Sequence, residues 1–266
     1  MYRNLYDSHV HSCNSHDGSD EVGAICAAAL ERGLRGVAFT DHCDADAGLE
    51  ACLKVKRRLF ADVAKAREVY GDRLEIAMGI ELGEPHHDVA LSRALLDDPG
   101  LDFVIGSLHR LRGEPDFYFV DYAAVDLDSL LLRYYEELLE LAACGCYDVV
   151  GHINYQLRYM RARERFRPAD YYDALRGVLR EVAAAGKGIE INTSGLRRGE
   201  VGLLPAPEVV RMFREAGGEI VTAGSDSHDL GSVGAGIPQA MDCMRAAGFE
   251  QTAFFRGRAA RFLELR

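Results

Sequence analysis

Short apolar runs with strand character recur near residues 4–9, 35–40, 74–81, 102–108, 147–152, 188–192 and 219–224. Between them, apolar positions three and four residues apart predict helices. The plainest case is Leu127, Leu130, Leu131, Tyr134, Leu138 and Leu141, which make one apolar stripe with Asp126 or Asp128 placed to cap it. Further helices are expected near 20–33, 50–70, 90–97, 168–185, 206–216 and 237–247, with Gly33, Gly71, Gly186, Gly217 and Gly248 close behind several of them. The alternation is β/α throughout, so the strands should be parallel, and runs such as Phe103-Val104-Ile105 suit strands covered on both faces. A closed or nearly closed α/β barrel follows. Barrels of about 250 residues form one unit, and no linker, repeat or low-complexity tract divides the 266 residues, so 1–266 is expected to be one domain.

The polar residues that end these runs carry the chemistry. Asp7-Ser8-His9-Val10-His11 places two imidazoles at alternate strand positions, where both reach one face and can close on a metal ion. His42, Glu81, His109 and His152 each terminate a later run, and the last run ends in Asp226-Ser227-His228. In a parallel barrel, chemistry gathers at these C-terminal strand ends. Imidazoles and carboxylates without a thiolate cluster suit a catalytic transition metal such as Zn, Mn or Fe. Eight or nine donors exceed the needs of one ion, so more than one is implied, with Glu81 as the natural bridge and Asp226 able to complete the same centre; ions about 3.5–4 Å apart can hold a hydroxide nucleophile. Asp17, just after the paired histidines, is a further candidate. His16, His86 and His87 follow no strand run and read as loop or supporting residues. The stretch 110–121, with Gly113 and Pro115, reads as a long active-site loop.

Composition narrows the function classes. With 31 basic and 42 acidic residues, the formal charge of −11 argues against a nucleic-acid surface. Seven cysteines without a C-x-x-C pair point to a reducing, cytoplasmic compartment. Cys144 and Cys146 read as small buried hydrophobes, whereas Cys13 and Cys43 flank expected ligands and are candidates for oxidation. The first residues run straight into the paired histidines without a charged and apolar leader. No apolar run approaches the ~20 residues that span a bilayer, so a soluble chain with no membrane partner is expected.

Taken in order, the paired histidines, Thr40-Asp41-His42, Glu81, His109, His152 and Asp226-Ser227-His228 resemble the polymerase and histidinol phosphatase (PHP) family over nearly the whole chain. Gly106-Ser107-Leu108-His109, Gly151-His152 and the stretch from Glu190 to Arg197 look most like its monofunctional histidinol-phosphate phosphatases. The resemblance implies a distorted (β/α)7 barrel holding three metal ions. One site would take His9, His11, Glu81 and Asp226. The second would share Glu81 and add His109 and His152, and the third would take Asp17, His42 and His228, with His16 competing for the place of Asp17.

The implied reaction is hydrolysis of the small phosphate monoester L-histidinol phosphate. Arg158 and Arg197 offer guanidinium groups to the phosphate, with Arg161 and Arg198 as competitors. Asp226, His228 and His42 are candidate proton donors or orienting groups for the leaving alkoxide. Glu114 and Asp116 either meet the substrate's cationic end or stay solvated. Two alternatives remain: another small ester, such as a nucleotide or sugar phosphate, or a silent PHP module that binds a partner. Membership of the amidohydrolases is disfavoured because no strand-end lysine is available to bridge two metals.

Overall fold

A computed structural model describes residues 2–160, 168–197 and 201–266. Seven strands follow one another around a single parallel sheet: β1 (Tyr6–Val10), β2 (Gly36–Phe39), β3 (Glu75–Gly83), β4 (Phe103–Ser107), β5 (Val149–Val150), β6 (Gly188–Asn192) and β7 (Val221–Gly224). The outer helices are α1 (Val22–Glu31), α2 (Leu49–Tyr70), α3 (Val89–Leu96), α4 (Leu127–Cys144), α5 (Tyr172–Ala184), α6 (Pro207–Glu215) and α7 (Ile237–Ala246). The first and last strands meet where Asp226 N donates to His9 O and His11 N to Ser227 O, both at 2.8 Å, which nearly closes the barrel.

The expected helices all form, and Asp126 rather than Asp128 caps α4, accepting from Asp128 N. Gly33, Gly186, Gly217 and Gly248 take positive φ behind their helices, whereas Gly71 keeps a helical φ of −60° and prolongs the last turn. The fifth strand is shorter than the run 147–152. Its ladder nevertheless continues through Asp148 N to Val104 O at 2.8 Å and Gly151 N to Gly106 O at 3.0 Å.

The register of β1 slips between Asp7 and Val10. By strict alternation Tyr6 and Val10 would share a face. Instead Tyr6 packs inside the barrel with Ala38, Ala77, Phe103 and Ile105, while Val10 packs outward with Val22 and Ile25 of α1. The bulge therefore leaves an apolar layer beneath and turns His9 and His11 into the mouth above it.

One element goes beyond the expected seven strands. Strands β8 (Gln251–Arg256) and β9 (Ala259–Glu264) form an antiparallel hairpin across the N-terminal end of the barrel. Phe255 stacks on Phe103 with centroids 4.8 Å apart, and Phe254 lies 5.1 Å from Tyr6. The hairpin is clamped by two buried carboxylates at strand entrances. Asp102 accepts from Gly257 N at 2.8 Å, and Asp148 receives Arg258 in a two-point pair at 2.5 and 2.9 Å while accepting from Val104 N. Removing the carboxylate in Asp148→Ala leaves both the guanidinium and the amide unpaired. A loss of about 3 kcal/mol of unfolding free energy is expected in urea titration, against under about 0.5 kcal/mol if the clamp is idle.

Candidate metal centre

The strand ends converge as their positions in the barrel require. His9 Nε2 and His11 Nε2 lie 3.0 Å apart, and Glu81 Oε2 stands 3.4 Å from each. Asp226 Oδ1 approaches the same pair at 3.7 and 3.5 Å. The other oxygen of Glu81 lies 2.8 Å from His152 Nε2 and 3.2 Å from His109 Nε2, and accepts from Ser107 Oγ at 2.6 Å. Asp17 Oδ2 faces His228 Nε2 at 3.1 Å and His42 Nε2 at 3.6 Å. The three expected groupings are thus brought together around one carboxylate.

Two details refine them. His42 turns its second nitrogen, Nδ1, to 3.1 Å from Glu81 Oε2, so it joins the third group to the bridge. His16 is exposed, with Nε2 4.0 Å from the Asp17 oxygen, and it is Asp17 that completes the cluster with His11, His42 and His228.

The charge pattern is that of a cation site. Asp17, Glu81, Glu190 and Asp226 converge on six imidazoles. Burial opposes charge on His9, His42 and His109, but the carboxylates outweigh it. His9 is held well above its ordinary range by Glu190, Glu81 and Asp226, His42 is pushed up to about 10 by Glu81 and Asp17, and His109 to about 9 by Glu81. His11, equally buried but beside His42 and His228, is pushed down to about 3. His42 Nδ1 makes no hydrogen bond despite its closeness to Glu81, and His152 Nδ1 is also unpartnered. This arrangement of nitrogen and oxygen donors fits bound metal ions better than a hydrogen-bonded network.

Residues with no role assigned from sequence hold the ligands in place. Glu190 Oε1 lies 2.7 Å from His9 Nδ1, and its Oε2 accepts from His152 N at 2.8 Å. A Cβ at Gly224 would fall 2.1 Å from Glu190 Oε1 and 2.4 Å from His9 Cβ, so only glycine admits this contact. Ser15 Oγ lies 3.1 Å from His11 Nδ1 and donates to Asp41, while Asp7 accepts from Ser225 and Gly234. Glu190 occupied the expected strand 188–192 at an alternating position; a glutamate inside an apolar run was the available signal.

The cluster opens into a cavity of about 370 Å³ lined also by Tyr155, Arg158, Tyr159, Ser194 and Arg197. Arg158 is buried, pairs with Asp226 and donates to Asn192 Oδ1 at 3.0 Å, and its ring neighbour Tyr155 lies 4.8 Å away. Arg197 donates to Ser225 O at 2.8 Å from the rim. Arg161 and Arg198 lie outside the described residues. The stretch 110–121 does not line the cavity: Glu114 pairs with Arg133 at 3.0 Å, and Asp116 accepts from Tyr118 N at 2.7 Å. It reaches the mouth indirectly, through Tyr118 packed 5.4 Å from Tyr159.

A family model for the PHP domain matches residues 7–194, from the start of the paired histidines to the turn after β6. The chain belongs to the PHP family. Among PHP relatives, a Deinococcus radiodurans protein named "Probable histidinol-phosphatase" is 30% identical over 264 residues, covering 96% of this chain and 97% of its own. The histidinol-phosphatase of Lactococcus lactis is 26% identical, with 94% of each covered. The crystal structure of the Lactococcus lactis histidinol phosphate phosphatase, complexed with zinc, L-histidinol and phosphate, superposes with a TM-score of 0.83 at 23% identity, covering 97% of this chain and 99% of that one. The distorted (β/α)7 barrel is therefore the PHP fold.

Since Glu190 orients His9 and the His152 backbone together, Glu190→Ala is expected to weaken metal retention about 10- to 100-fold. Competition against a coloured chelator measures it, and unchanged retention would remove Glu190 from the centre.

Proposed function

We propose that this PHP protein hydrolyses L-histidinol phosphate to L-histidinol and phosphate. The observation that carries the reading is a single cavity in which the Glu81 cluster faces Arg158 and Arg197. The names of relatives that match the chain nearly end to end supply the substrate. Three ions would be held, one by His9, His11, Glu81 and Asp226, one by Glu81, His109 and His152, and one by Asp17, His42 and His228. Zinc is the first candidate, because the donors are borderline and the Lactococcus lactis enzyme is complexed with it. The ions would supply Lewis acidity and lower the pKa of water for attack on phosphorus.

The chain's own groups do the rest. Arg158, its side chain 6% exposed and already oriented by Asp226 and Asn192, would present fixed positive charge to the phosphoryl oxygens, and Arg197, which donates to the Asp226 carbonyl, lines the same cavity. Such preorganised charge gains strength in a site shielded from water. As water adds to phosphorus, the bond to the alkoxide breaks. The proton that water surrenders is the one the alkoxide takes up, and Asp226, His228 and His42, which line the cavity, would carry it. Tyr155 and Tyr159 leave an aromatic wall for the rest of the substrate.

The same reading places the enzyme in the cytoplasm, in keeping with seven unpaired thiols, and among the described residues no helix is long and apolar enough to cross a membrane.

Phosphate release by the metal-loaded protein should favour L-histidinol phosphate strongly over a panel of nucleotide and sugar phosphates. Arg158→Ala and His109→Ala should each lower kcat/KM by about 10²-fold or more. Activity confined to a different ester would keep the centre and replace the substrate.

A further inference from the structure

A second convergence of donors lies away from the cavity. His86 and His87 sit on the loop that follows β3, and Glu137 projects from the middle of α4. We propose that these three residues bind a divalent transition-metal ion of the Zn²⁺ class as a structural site, pinning that loop to the helix.

Both imidazoles aim at one oxygen. His87 Nε2 lies 2.9 Å and His86 Nε2 3.3 Å from Glu137 Oε2. The rings approach from different directions, with centroids 4.4 Å apart and planes at 65°, as ligands around one centre must. Two histidines and one glutamate are a donor set that zinc accepts, with water completing the coordination. The carboxylate is itself held in plane, since Arg112 N donates to Oε1 at 2.9 Å and to Oε2 at 3.1 Å, the backbone support that metal-bound carboxylates receive.

Charge points the same way. The side chain of His86 is 2% exposed and that of Glu137 11%. The guanidinium of Arg112 turns instead to Glu140 at 3.6 Å and to His86 O at 3.4 Å. Glu140 adds a further negative charge nearby. His86 Nδ1 is buried with no partner, so the polar contacts of this ring are all directed at Glu137. Because Arg112 belongs to the stretch 110–121, an ion here would fasten three segments at once, and its existence does not depend on the substrate proposed above.

Crystals of the zinc-loaded wild-type protein, measured at the zinc absorption edge, should show an anomalous peak between His86, His87 and Glu137, separate from those at the Glu81 cluster. In solution, His87→Gln loaded identically should carry one zinc per chain fewer than wild type by elemental analysis. Circular dichroism checks its fold; if it fails to fold, Glu137→Gln replaces it. No anomalous peak at this position, or equal zinc in wild type and a folded variant, would overturn the proposal.

Discussion

Glu81 is 1% exposed and stands at the mouth of a barrel whose interior below it is apolar. Burying a carboxylate in that setting costs several kcal/mol unless positive charge meets it from close range. Here imidazoles from four strands and their ends meet it: His9 on β1 and His11 just after it, His42 after β2, His109 after β4 and His152 after β5. Glu81 lies well below the usual carboxylate range although burial alone would raise it, because His9, His109 and His42 outweigh the desolvation. Every strand that supplies a donor must therefore end at the same height. The parallel sheet, the bulge in β1 and the floor hairpin are the means by which the sequence meets that condition.

The supporting shell shows how little freedom remains. Glu190 spans from His9 to the His152 backbone, and Asn192 links Glu190 to Asp226 and Arg158. Gly224 leaves no room for a methyl group beside them. Arg158 and Asp226 are thus one hydrogen-bonded unit. An anion entering the cavity would meet a guanidinium whose direction is already set, which lowers the ordering cost of binding.

Much of this was legible in the sequence because its signals are local. Recurrent apolar runs, six of them ending in metal-competent side chains, located the seven strands of the sheet, and helical spacing located the helices between them. Asp17 was placed beside His16 by adjacency, but only the fold could choose between them, by pointing one at His42 and His228 and the other at solvent. The closing hairpin was illegible for a different reason. Its turn has positive φ at Gly257 and Arg258, and arginine lacks the turn signature that asparagine or a second glycine would have given. The stretch 110–121 was misplaced because length and glycine content say that a loop is present, while the pairing of Glu114 with Arg133 depends on where α4 passes. Likewise His86 and His87 have no strand to announce them; their meaning comes from Glu137, fifty residues on.

One carboxylate organises the whole cluster. Elemental analysis of Glu81→Gln after identical metal loading tests it most directly, since the amide keeps the shape and removes the shared anion. Loss of at least two metal ions per chain is the result expected of a bridging ligand. Loss of one or none, in a folded protein, would contradict it.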